Sequence, residues 1–313
     1  MYTITMDNEE IKVKKTYRRL IAVVSALILL IAAAFIASII YNDFQEQKPA
    51  VAEAPQEEPV IEEPVISDEQ EQEPDDVIEE SGPPVMMARF SQLIEQNADL
   101  VGWIRVPNTV INYPVLYCKD NAYYLNHDFN KKYSAAGTPF LDMRADLLEK
   151  NQSLSTYAHY LKDGKMYSAL HNYKSLNYYK ENPVFVFDSL YEEGVYKIFS
   201  VFYMAGNASD KLFYNFMKAH FDSDEEFSNH INQILARSIF LTAVDVTTDD
   251  QLVLMTCCTY ETDNLRLIIA GRKTRPGESY MVDTENAAAN PEPLYPQKWY
   301  NAKGGRPPEL PFI

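Results

Sequence analysis

Leu252-Val253-Leu254-Met255-Thr256-Cys257 is followed by a second thiol, Cys258, then a short polar stretch, then Leu265-Arg266-Leu267-Ile268-Ile269-Ala270. Two apolar runs of this length, separated by turn-forming residues, predict a pair of strands rather than a helix. Working outward, similar short runs rich in Val, Ile, Tyr and Phe fall at 101–106, 110–115, 139–141, 155–157, 184–187 and 195–203. Eight short strands predict a mainly β fold, a barrel or a sandwich, mostly antiparallel with helices packed outside. Met86, Met87, Phe90, Leu93 and Ile94 fall at helical spacing and predict a short amphipathic opening helix. Helical spacing also predicts helices over 212–220 and 224–236, the latter with Ser223 as cap and Glu226 three residues later.

These elements define a folded domain over 85–273 of a 313-residue chain. On its N-terminal side, residues 42–84 are rich in Glu, Asp, Pro and Gln with few aromatics, a composition that cannot bury enough apolar area to offset ordering entropy. We expect an extended stalk there. Between positions 42 and 80 stand 15 acidic residues against Lys48, so most of the net charge of -17 belongs to this segment and not to the fold. An acidic chain also argues against nucleic acid as a partner, since phosphate binding is driven by Lys and Arg. Residues 20–41 run without a charge for long enough to cross a bilayer and are too long for a cleaved signal peptide. Lys12, Lys14, Lys15, Arg18 and Arg19 precede the run while Asp43 and Glu46 follow it. The positive-inside rule therefore predicts a single-pass transmembrane signal anchor, with the basic segment 1–19 cytoplasmic and the domain outside the cell. Residues 274–313, Pro-rich with Gly304 and Gly305, show no periodicity and read as a tail.

Cys118, Cys257 and Cys258 are the only cysteines, too few for a disulfide framework and without metal-ligand spacing, so no cofactor or metal is expected. Sparse thiols in an extracytoplasmic domain direct attention to chemistry. Cys257 ends an apolar strand, where the backbone is fixed and the side chain can meet substrate. If the strands 252–257 and 265–270 form a hairpin, Arg266 comes beside the thiol, able to stabilise a thiolate or an oxyanion. His159 lies at a strand-to-loop edge, a position that suits a catalytic base. His127, His171, His220, His230 and Cys118 are read as structural.

Taken together these residues resemble a class B sortase. The sortase TLxTC signature is matched by Val253-Leu254-Met255-Thr256-Cys257, and the downstream arginine by Arg266. The histidine segment of class B enzymes, of the type YGHNMKDGSMF, resembles Tyr157-Ala158-His159-Tyr160-Leu161-Lys162-Asp163-Gly164-Lys165-Met166-Tyr167. Val110-Ile111-Asn112-Tyr113-Pro114-Val115, the stretch 120–129, Gly137 and Phe140-Leu141-Asp142 are also similar, so the likeness covers roughly residues 100–272. The resemblance implies an eight-stranded sortase-type β-barrel with peripheral helices. It implies a membrane-anchored cysteine transpeptidase of Gram-positive surfaces. Such an enzyme cleaves a sorting motif in secreted proteins through a thioester acyl-enzyme and transfers the acyl group to an amine, usually of a peptidoglycan cross-bridge or its precursor. It assigns catalysis to His159, Cys257 and Arg266. The doubled thiol leaves an alternative, because adjacent strand residues face opposite sides and only one can face His159. The motif register favours Cys257 over Cys258, which in turn precedes a family-like Thr259-Tyr260-Glu261. Two other functions use the same features: a Cys/His cell-wall peptidase with water as acceptor, and a catalytically inactive membrane-tethered binding module.

Overall fold

A computed structural model of the protein describes residues 85–146 and 151–309. The expected anchor at 20–41 and the segments 1–19 and 42–84 lie outside the described residues. Among the described residues no helix is long and apolar enough to cross a membrane.

Eight strands close into a barrel in the order β1-β2-β3-β4-β8-β9-β6-β5. They are β1 (Leu100–Arg105), β2 (Asn112–Leu116), β3 (Phe140–Leu141), β4 (Ser153–Tyr157), β5 (Val184–Ser189), β6 (Val195–Ala205), β8 (Leu252–Thr259) and β9 (Leu265–Lys273). Each corresponds to one of the runs read from the sequence. Pairing is antiparallel except between β2 and β3 and between β4 and β8. A short pair, β7 (Phe240–Leu241) with β10 (Ala288–Ala289), lies apart from the barrel sheet.

Strand alternation sorts the side chains of β8 and β9 into two separate cores. Val253, Met255 and Cys257 with Leu265, Leu267 and Ile269 fill the barrel interior. Leu252 and Leu254 with Ile268 and Ala270 face outward, where they are covered by Phe227, Ile231 and Ile234 of a helix over Asp224–Arg237. That helix starts where the sequence places it: the Ser223 hydroxyl accepts from the Glu226 backbone N–H, a cap worth about 1 kcal/mol. In chain order it is α3, after α1 (Ser91–Gln96) and α2 (Leu176–Glu181).

The helix expected over 212–220 is absent, and the reason is local. Asp210 Oδ1 accepts from Leu212 N and Asn215 Oδ1 from Met217 N, so side chains take the backbone donors that a helix would use. The apolar side chains still reach the outer core, with Phe216 buried and Phe213 and Met217 partly so. The segment after Lys273 does not run free of the barrel. It contributes β10 and a last helix, α4 (Gln297–Lys303), and Leu294 and Tyr300 are buried.

Candidate active site

At one end of β4, β8 and β9 a cleft of about 700 Å³ opens on the outer face of the sheet. Its floor follows from register. β4 and β8 run parallel with Tyr157 opposite Thr256, and β8 and β9 run antiparallel with Thr256 opposite Ile268 and Cys258 opposite Arg266. Paired residues share a face, so Thr256, Cys258 and Arg266 look the same way. Continuing β4 two residues past Tyr157 brings His159 level with Cys258. His159, Cys258 and Arg266 all line the cleft, and all three are partly exposed.

Cys257 has the opposite phase. It pairs with Leu267 within the barrel core and is 1% exposed, and burial pushes its thiol pKa far up. A thiol in that medium is held as the neutral, poorly nucleophilic form. All three residues expected from the sequence, His159, Cys257 and Arg266, border the cleft, but Cys257 does so from the barrel core and is 1% exposed, whereas the adjacent Cys258 is partly exposed on the cleft face. The sequence offered no phase for the doublet because β8 is covered on both sides: with apolar residues at every position from 252 to 255, alternation is invisible.

The flanking loops fix the other two groups. The His159 Nε2–H donates to the Leu125 carbonyl at 2.7 Å, and because a carbonyl can only accept, this bond places a proton on Nε2. Behind it, the Leu161 N–H donates to the Ser168 hydroxyl at 2.7 Å while that hydroxyl donates to the Leu161 carbonyl at 2.8 Å, closing the loop that follows His159. Arg266 rests against Gly206, whose N–H donates to the Asn264 carbonyl at 2.8 Å. A Cβ at Gly206 would come 2.1 Å from Asn264 Oδ1 and 3.1 Å from Arg266 Cζ, so a larger residue must displace the Asn264 side chain and crowds the guanidinium.

One wall of the cleft is organised by Asp142, 2% exposed, which accepts from Tyr157 Oη at 2.8 Å, Asn121 Nδ2 at 3.1 Å and Arg144 Nη1 at 2.8 Å. Burial, with the Asp142 charge beside it, pushes the Tyr157 phenol far up, so it stays a neutral donor.

No family model matches the chain. Sortase B of Staphylococcus aureus is 27% identical over 186 residues, covering 59% of this chain and 74% of that protein. Sortase B of Listeria monocytogenes is 29% identical over 180 residues, covering 56% and 70%. Among solved structures, the Staphylococcus aureus sortase B–substrate complex superposes with a TM-score of 0.55 at 26% identity, over 61% of this chain and 86% of that one. The chain is a class B sortase homologue. It is accordingly a sortase-type cysteine transpeptidase, with the mainly β sortase fold.

Sequence reasoning missed a polar cluster of this sortase at the far side of Cys258. His171 Nε2 donates to the Cys258 carbonyl at 3.0 Å and its Nδ1 accepts from Lys174 Nζ at 3.1 Å, while Lys174 also pairs with Glu261. Tyr160 stacks on the His171 ring at 4.1 Å. Burial lowers the His171 pKa, which suits the neutral ring that both hydrogen bonds require. No spacing signal could have joined His171 to Cys258 across a separation of 87 positions.

Proposed function

We propose that this sortase is a membrane-anchored surface transpeptidase whose nucleophile is Cys258, with His159 as general acid and base and Arg266 as the charge-stabilising group. The observation that carries the reading is the row His159, Cys258, Arg266 on the cleft face of three neighbouring strands. Cys257, the residue favoured from the motif register, is replaced in this role because its thiol lies in the barrel interior.

The Cys258 thiolate attacks a backbone carbonyl of the sorting motif. The Arg266 guanidinium, a planar donor fork always charged at neutral pH, holds the carbonyl oxygen as it takes on negative charge. His159 protonates the departing amine, and collapse leaves a thioester on Cys258. The same imidazole then takes a proton from the incoming amine, which attacks the thioester and regenerates the thiol. An amine acceptor of the cell wall and secreted proteins bearing a C-terminal motif are the partners we assign, with residues 20–41 as the anchor that keeps the domain at the outer face of the membrane.

Intact-mass analysis of the enzyme with a cleavable peptide tests the chemistry. We expect an acyl adduct on Cys258 that a supplied amine converts to an amide product; an adduct that yields only free acid with amine in excess would mean a hydrolase. Protease added to intact, wall-stripped cells tests the topology. We expect loss of the catalytic domain, and a domain protected until the membrane is broken would reverse the orientation.

A further inference from the structure

The segment after β9 travels from the end of the barrel remote from the cleft to the two loops beside the cleft. It leaves at Lys273, beside Arg272, which pairs with Leu252 at the opposite end of the hairpin from Cys258 and Arg266. There it is anchored by ions: Arg275 pairs with Asp250 at 2.8 Å and Asp245 at 2.7 Å, and Glu278 pairs with Lys197 at 2.6 Å and with Arg272. Midway, β10 pairs with β7 and Leu294 N donates to the Ala236 carbonyl at 2.9 Å. At its end, Trp299 stacks on Tyr295 at 4.3 Å and lies 5.0 Å from the ring of Tyr203, near the end of β6.

Helix α4 then touches two loops at once. The backbone N–H groups of Gln297 and Lys298 donate to the Asp210 carboxylate at 2.8 and 2.9 Å, and the Lys298 ammonium donates to the Asp263 carbonyl. Asp210 belongs to the loop that follows Gly206. Asp263 belongs to the turn between Cys258 and Arg266. These are the two loops already joined by the Gly206 N–H to Asn264 carbonyl bond, with Arg266 against the junction.

We propose that Asp210 and Lys298 are positioning residues for transpeptidation: through α4 they clamp the loop after β6 to the turn between β8 and β9, and so fix the guanidinium of Arg266 over the thiol of Cys258. The inference rests on the role assigned to Arg266 above. The far-end ion pairs serve stability and Trp299 packs α4 on Tyr203 of β6, whereas the Asp210 and Lys298 contacts of α4 fall on the two loops beside the cleft. A displacement of about 1 Å in a charge-stabilising group is enough to cost on the order of a hundredfold in rate, so loosening one of two clamps should lower turnover by about tenfold.

The test is a double-mutant cycle in the full-length chain, with an internally quenched peptide selected from a library by cleavage as the probe. Lys298→Ala should lower kcat about tenfold with KM changed less than about twofold, and Lys298→Arg, which can still reach the Asp263 carbonyl, should recover most of the loss. In an Arg266→Ala background the Lys298→Ala change should cost nothing further. Arg275→Ala, at the remote anchor, should lower the Tm with kcat unchanged. Equal losses from Lys298→Ala in both backgrounds, or full kcat in Lys298→Ala alone, would overturn the clamp while leaving the site intact. Near wild-type turnover in Arg266→Ala itself would overturn the assignment of Arg266 and the clamp with it. If Lys298→Ala fails to fold, Asp210→Asn, which keeps an acceptor for the helix N–H groups but removes the charge, reads the same cycle.

Discussion

Replacing each member of the cysteine doublet by alanine separates the two thiols by effect. Cys257 is 1% exposed in the barrel core, so Cys257→Ala removes a buried sulfur and leaves a void. Lost transfer energy of about 0.8 to 1 kcal/mol and a cavity of about 25 Å³ at about 24 cal/mol per Å³ together come to about 1.5 kcal/mol. For a domain of ~200 residues that lowers the Tm by about 3 to 6 °C. Turnover should stay within a few-fold of wild type, because no reacting group has moved. Cys258→Ala should do the reverse: its side chain is partly exposed at the cleft, so stability changes by less than about 0.5 kcal/mol, while peptide cleavage and the acyl adduct vanish. Thermal unfolding read beside intact-mass trapping gives both numbers on the same preparations. An adduct that persists in Cys258→Ala and disappears in a folded Cys257→Ala would refute the phase argument for β8.

Three other outcomes follow from the same geometry. His159→Ala and Arg266→Ala should each fold and lose about two or more orders of magnitude in kcat/KM, with Arg266→Lys rescuing poorly because an ammonium lacks the planar fork; near-full turnover at unchanged Tm would remove that residue from the mechanism. Gly206→Ala should displace Asn264 and crowd the Arg266 guanidinium, cutting kcat by about tenfold with a strain cost of about 1 to 3 kcal/mol, and a crystal structure of the variant with Asn264 and Arg266 unmoved would contradict this. His230, fully buried with Tyr214 Oη 2.8 Å from its Nδ1, has its pKa lowered by burial to about 4. Protonation therefore favours the unfolded chain, so stability is complete above about pH 6.5 and falls as the pH drops toward 4, by on the order of 3 kcal/mol from this group alone. Denaturant titrations of wild type and His230→Gln over that range should differ by this amount, and parallel curves would show the ring is not responsible.

The strands were legible and the site only partly so, for one physical reason. Every barrel strand is a short apolar run between polar turns, and that signal survives whichever face is inward. The choice between Cys257 and Cys258 depends on phase, and phase becomes readable only when one face is polar. β8 has a core on each side, Val253 and Met255 inward and Leu252 and Leu254 under α3, so the motif's spelling had to decide and favoured Cys257, where the proposed mechanism takes Cys258. The segment 212–220 failed differently: its apolar spacing was real, but Asp210 and Asn215 bind the backbone donors a helix would need. His171, Asp210 and Lys298 come beside the cleft loops and strands only through folding, and the segment after β9 carries its information in single contacts, Trp299 on Tyr203 and Lys298 on Asp263, that no periodicity announces.

The sealed position of Cys257 also makes it a clock. In a chain carrying Cys118→Ala and Cys258→Ala it is the sole thiol, and a water-borne alkylating reagent can reach it only when β8 parts from its neighbours. At high reagent concentration the labelling rate becomes the opening rate of the barrel, and at low concentration it reports the equilibrium population of the opened form. The thiol that the proposed mechanism leaves unused thus counts the excursions of its own strand.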